Sequence, residues 1–294
     1  MAATPVAPAT PASPTPPHTA SPAVATSEPA CEIAGDAASP GDRRRALEAC
    51  EAARERFGEL FGAPVPGVRI HLEARGGYRT GVSNGRAIVV WPTTRAMAGR
   101  LSGPNDAVAA HIAEQWRDVL PHEIAHVLLA ARFFEGVPRA TGYGTPFPDW
   151  FDEGVAIWAE SQAQREARLA QARALPDELR ALTGILASAH PAASDASILQ
   201  IRDGAAIPDD QALWTYYPRS IAVVAFVYET GGQAAMLALA ERMLAEPDAP
   251  VSLAGLPGLP NTPATVAALW EDWLGGGSAA SSHRSAAPYP RTSP

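Results

Sequence analysis

LPHEIAHVLL, residues 120–129, sets His122 and His126 four positions apart, with Glu123 directly after the first histidine. In a helix such positions differ by about 40° in azimuth and about 6 Å in height, so both imidazoles project from one face and can grip a single ion. Glu123, roughly 100° round from His122, flanks that ion without being forced to bind it. On the other face Ile124, Val127, Leu128 and Ala131 form an apolar stripe that fixes the helix on a core. Two imidazoles on a metal, with a carboxylate placed to take a proton from metal-bound water, are the parts of a zinc hydrolase. Paired helical histidines can also be plain solvated side chains. In a chain with 7 histidines, a chance HExxH is on the order of one in a hundred. The helical pattern extends from Asp106 to about Phe134. Pro121 within it removes a backbone donor and clashes with the carbonyl four residues back, so a kink or restart is expected just before His122.

A catalytic zinc site usually has three protein ligands and one open position. In WFDEGVA (150–156), Glu153 offers a carboxylate at a helix start, 27 residues after His126. HEIAH followed by WFDEGVA resembles the gluzincin metallopeptidases, specifically the peptidase MA-like domains related to thermolysin and the gluzincin aminopeptidases. The resemblance covers about residues 43–275, densely at the motifs and loosely elsewhere. It implies His122, His126 and Glu153 as ligands of one Zn2+ ion and Glu123 as general base. It also implies a zincin-like fold, α+β but mainly α, with a small N-terminal β-sheet packed on the HExxH helix and a helical C-terminal part. The implied function is zinc-dependent hydrolysis of a peptide or protein substrate. Glu160, seven residues after Glu153, returns to the same helix face, where it can orient His122 or His126 by accepting the second N–H. A glutamate at that offset resembles the aminopeptidase branch; Ile157 stands where thermolysin's pattern has an aspartate. LWTYYPRSIAVVAFVYETGG (213–232) resembles the later helix that carries an oxyanion-stabilising tyrosine, with Tyr217 the first choice and Tyr216 the second. The Gly-x-Met-Glu-Asn stretch of the aminopeptidases is missing, and GGYRTG does not replace it, so exopeptidase activity is not implied. A reading from another class is a catalytically silent zincin-fold binding or regulatory module that keeps a structural metal.

The rest of the chain frames these motifs. Residues 1–40 of the 294 are a run of Ala, Pro, Ser and Thr that cannot bury enough apolar surface to order itself, and residues 277–294 read the same way. Residues 41–276 are therefore expected to be one domain, as the 47% hydrophobic content allows. Net charge is −8 and all 23 basic residues are Arg, so no basic cluster invites nucleic acid. No apolar run reads as a transmembrane segment, and the N-terminus shows no secretory signal. Compartment stays open, with export or the cell envelope favoured because Pro/Ala/Ser/Thr tails tether envelope domains. Cys31 and Cys50 are too few for a scaffold: they either pair in an oxidising compartment or stay free in a reducing one. Ala46, Cys50, Ala53, Phe57 and Leu60/Phe61 predict a first helix from Asp42 to near Gly62. VRIHLEA (68–74) alternates as a half-buried strand with His71 on its polar side. Asn84-Gly85 signals a hairpin into a second strand ending at Pro92, and residues 86–91 are expected to be the edge that a peptide substrate pairs with. Helices are also expected to Ala174, over Trp214–Thr230, over Gln233–Ala245 and in ATVAALWEDWL, with Gly231-Gly232 as a break. His111 lies about three turns before His122, at the rim if the helix runs straight.

Overall fold

The structure, a computed structural model, describes residues 29–35, 38–75, 77–134, 145–188, 190 and 210–276. The expected tails at 1–28 and 277–294, and most of the loops expected at 136–148 and 188–210, lie outside the described residues. Within them the fold is α+β and mainly helical, with one small mixed sheet.

The first element among the described residues lies inside the stretch read as tail: Cys31–Ala34 forms β1, parallel to β2 (Val68–Glu73). Four residues are too short for a pattern to show. A disulfide from Cys31 to Cys50 ties this strand to α1 (Pro40–Phe61). Ser39 and Asp42 form a reciprocal capping box at the start of α1, and Gly62 ends it at φ 67°, a conformation that favours glycine. The buried residues of α1 include Ala46, Cys50, Ala53, Phe57 and Leu60, the set expected from helical spacing.

The Asn84-Gly85 turn has positive φ at both residues and joins β3 (Arg79–Ser83) to β4 (Arg86–Pro92). Sheet order is β1-β2-β4-β3. β4 is therefore interior, parallel to β2 on one side and antiparallel to β3 on the other. The expected edge at 86–91 is corrected: the free edge beside β4 is β3. A hairpin signal fixes which strands are joined, not which of them accepts a third neighbour. Val68, Ile70, Leu72, Ala87, Val89 and Trp91 turn one face of the sheet inward, and α4 (Leu120–Phe133) packs against β4 and β3.

After α2 (Thr94–Ala98), the chain enters α3 (Asn105–Glu114) and then a π turn at Gln115–Val119 that leads into α4. The expected break at Pro121 takes this form. Leu120 N–H bonds to Gln115 O, five residues back, and φ/ψ stay helical through the junction. A widened turn accommodates the proline ring and the missing donor without ending the helix.

The C-terminal part is helical: α5 (Asp149–Trp158), α6 (Gln162–Ala174), α7 (Asp177–Arg180), α8 (Leu182–Leu186), α9 (Asp210–Ala245) and α10 (Pro263–Leu274). Gly232, at φ 65°, breaks α9 where the Gly-Gly pair predicted it. Part of α9, Trp214–Ala245, is long and apolar enough by length and composition to cross a membrane, unlike the sequence expectation. Half of its most apolar window is buried in the fold, with Ile221 to Val227 facing α5 and the core. α10 closes the bundle through Trp270 and Trp273, whose rings pack on Phe226 at 5.3 and 5.8 Å.

Candidate metal centre

α4 and α5 bring the two motifs together. His122 and His126 face each other with their Nε2 atoms 3.1 Å apart. Glu153, the fifth residue of α5, places Oε2 3.4 Å from His122 Nε2 and Oε1 3.9 Å from His126 Nε2. Ligands about 2.0–2.1 Å from one tetrahedral ion stand roughly 3.4 Å from one another, so these spacings suit a single small cation. Among the described residues, His122, His126 and Glu153 are the group able to hold a metal ion.

The outward nitrogens are anchored. His122 Nδ1 lies 3.0 Å from Glu160 Oε1, and His126 Nδ1 lies 2.6 Å from Asp152 Oδ1. With a carboxylate accepting from each Nδ1–H, the Nε2 lone pairs are turned to the centre, the tautomer a ligand histidine needs. Thr145 Oγ1 donates to Asp152 Oδ2 at 2.7 Å, and Arg168 donates twice to Glu160. Glu160 thus faces His122 as expected, but from the turn after α5, which ends at Trp158, and not from the helix itself. Asp152 is the partner that sequence reasoning missed; its only sequence signal is its place directly before Glu153.

No protein-family model matches this chain, and no curated protein or solved structure matches it. What the centre can do rests on its own geometry.

Glu153 is fully buried, and neither carboxyl oxygen has a hydrogen-bond partner. Such a group is costly in a protein interior unless a cation faces it. Among the described residues the charges agree: three buried carboxylates, Asp152, Glu153 and Glu160, face one guanidinium, Arg168, and leave a deficit of two positive charges. A divalent cation supplies both. Without one, protons on the imidazoles must. Burial opposes the charged form of His122, yet the nearby carboxylates of Glu153, 3.4 Å away, and Glu160 hold its pKa up at about 10. His126 is likewise raised by Asp152 against burial. Burial pushes the Glu153 carboxyl up, but His122, His126 and His190 outweigh it and hold it at about 2. The donor set therefore fits a divalent metal.

Glu123 is half-buried beside this cluster. Its charge, followed by burial and by Glu153, pushes the Tyr78 hydroxyl up to about 12, which brings Tyr78 into the site's field. Tyr78 precedes β3, is half-exposed, and packs its ring 5.9 Å from Trp91. From α9, Tyr216 is buried at 3% exposure and its hydroxyl has no hydrogen-bond partner. Burial, then Asp149 and Glu153, raises its pKa. Tyr217 is only partly buried and lies beneath Arg168, with the guanidinium carbon 5.3 Å from the ring centroid.

His190 is a further member that no motif announced. Its ring sits 5.0 Å from Tyr216 and 5.9 Å from Tyr217, and its Nε2 is 3.7 Å from Glu153 Oε1. Asp149 accepts its backbone N–H at 3.0 Å. His111 is not brought in: it is exposed on α3, 3.9 Å from Glu114. His71 sits half-buried on β2, outside the cluster.

Proposed function

We propose that the protein is a zinc-dependent peptidase of gluzincin type with a zincin-like fold. The observation that carries this reading is the convergence of two Nε2 atoms and an unpartnered buried carboxylate, with each outward Nδ1 already held by an acid. His122, His126 and Glu153 would hold one zinc ion, which when bound lowers the pKa of a coordinated water to roughly 7 and polarises the scissile carbonyl. Zinc is preferred because two imidazoles and one carboxylate suit it.

Glu123 takes the proton from the attacking water and later passes it to the departing amine nitrogen as the C–N bond breaks. Tyr217 donates a hydrogen bond to the carbonyl oxygen as negative charge develops there. Donors in that role are worth roughly 3–4 kcal/mol elsewhere. Tyr217 is preferred over Tyr216 because an oxyanion donor must reach the substrate, and Tyr217 is partly exposed while Tyr216 is enclosed. An extended peptide substrate adds to β3, the free strand edge beside α4. The Cys31–Cys50 disulfide favours an oxidising compartment, in line with export or the cell envelope.

The test is cleavage of casein or a peptide library with and without chelator, beside Glu123→Gln. Chelator-sensitive cleavage that is lost in the variant, at equal zinc content, is the expected result. A wild-type protein that binds zinc but cleaves nothing under any condition overturns the peptidase in favour of a binding or regulatory module.

A further inference from the structure

Arg168 belongs to neither motif. It lies on α6, eight residues beyond Glu160, and its guanidinium makes a two-pronged contact with that carboxylate. Nε donates to Oε2 at 3.0 Å and Nη2 donates to Oε1 at 3.3 Å. Oε1 is also the oxygen that faces His122 Nδ1 at 3.0 Å. The same guanidinium lies 5.3 Å from the Tyr217 ring centroid. One side chain thus touches the acid that aims a ligand histidine and the ring that presents the oxyanion donor. Both ends are shielded: the side chains of Arg168 and Glu160 are 18% and 4% exposed. Shielding strengthens charge-assisted hydrogen bonds relative to those of an open surface pair.

We propose that Arg168 is a positioning residue that couples His122 to Tyr217, fixing the aim of the first histidine ligand and the seat of the tyrosine together. The proposal rests on the metallopeptidase reading. Its physical basis is the difference between arginine and lysine. A guanidinium offers a planar fork that matches a carboxylate and a flat face that lies on an aromatic ring, whereas an ammonium offers charge alone. By donating to both oxygens of Glu160, Arg168 holds that carboxylate in one rotamer, so Glu160 accepts the His122 Nδ1–H and leaves Nε2 facing the centre. Tyr217 precedes Pro218 within α9, and the Arg168 guanidinium packs against its ring together with the rings of His190 and Tyr216.

The test compares Arg168→Met, Arg168→Lys, Glu160→Gln and the double variant Arg168→Met/Glu160→Gln. Zinc affinity is measured by chelator competition, and kcat and KM are measured separately. A crystal structure of Arg168→Met without metal completes the set. Loss of an outer-shell partner lowers metal affinity or activity about 10- to 100-fold, so Arg168→Met is expected to bind zinc about tenfold more weakly and to lose kcat about tenfold or more with KM near wild type. Arg168→Lys is expected to recover zinc affinity through its charge but not kcat, because it has no plane to brace Tyr217. In the Glu160→Gln background Arg168→Met is expected to leave zinc affinity unchanged, since the coupling runs through Glu160. The crystal structure is expected to show displaced His122 and Tyr217 rings. Unmoved rings, additive effects on zinc affinity, or wild-type kcat in Arg168→Lys would each overturn the proposal. If Arg168→Met does not fold, Arg168→Lys decides it. A wild-type protein that takes up no zinc overturns the metal reading instead, and the crystal structures still decide whether Arg168 positions the two rings.

Discussion

Gly154→Ala tests the packing that delivers Glu153 to the centre. Gly154 follows Glu153, the proposed ligand, on α5 where that helix crosses α9, and a Cβ there would meet Ser220 O and Val224 Cγ2, each at 2.6 Å. Val224 can turn; Ser220 O is backbone inside a helix and cannot. Reaching ordinary van der Waals separation requires a shift of about 0.8 Å between the helices. Alanine gains up to about 1 kcal/mol of helix propensity over glycine, while overpacking in a filled interior costs about 1–3 kcal/mol. The two effects leave a net loss centred near 1 kcal/mol and at most about 2, at roughly 2–4 °C per kcal/mol in the melting midpoint of a domain this size. The shift also matters at the site, because metal–ligand distances tolerate only about ±0.2 Å. Zinc affinity is therefore expected to fall by about tenfold. Circular dichroism melting of the metal-free protein and chelator competition measure the two effects. A raised midpoint with unchanged zinc affinity, as helix propensity alone would give, refutes the close α5–α9 approach.

Asp152→Asn keeps the shape of the side chain but removes the charge that faces His126 Nδ1 at 2.6 Å. Zinc affinity is expected to drop about 10- to 100-fold, and a value within twofold of wild type refutes the role given to Asp152. Replacing Cys31 and Cys50 by serine opens a link between residues 19 apart. The loop-entropy relation gives about 3 kcal/mol for a loop near this length, so a chemical denaturation midpoint equal to wild type contradicts a structural disulfide. Zinc binding must displace the proton that His122 holds up to about 10, so apparent affinity is expected to keep rising between pH 6.5 and 9. Because that folded-state pKa is raised, the proton's contribution to stability of the metal-free protein is present below about 6.5 and is lost as pH rises through about 10. Affinity that levels off at pH 7, or a metal-free protein that gains stability over this range, contradicts the pairing of His122 with Glu153 and Glu160.

Much of this centre was legible because helices repeat. His122 and His126 stand four apart on one helix, which fixes their shared face before any fold is known, whereas Glu160 meets His122 from the turn just past the end of α5. Gly232 and Asn84-Gly85 were legible for a similar reason, since positive φ restricts residue type. Asp152 was not, because the residue beside a ligand points about 100° away, and whether it meets His126 depends on how α5 lies across α4. His190 and Arg168 carry no pattern at all; each reaches the site from a segment whose placement only tertiary packing decides. The same holds for β1, too short to read, and for β3, whose edge position depends on β4 choosing β2 as a parallel neighbour. The bend expected at Pro121 became a π turn, since a proline dictates where the hydrogen-bond ladder must change and not how the preceding turn absorbs it.

The most direct test of the central claim is zinc stoichiometry by equilibrium dialysis of the wild-type protein beside Glu153→Ala. One zinc ion per chain in the wild type, and a large loss of occupancy in the variant at the same free zinc, is the predicted result. Undiminished occupancy in Glu153→Ala would show that the buried carboxylate between His122 and His126 is not a ligand, and the proposed centre would fail with it.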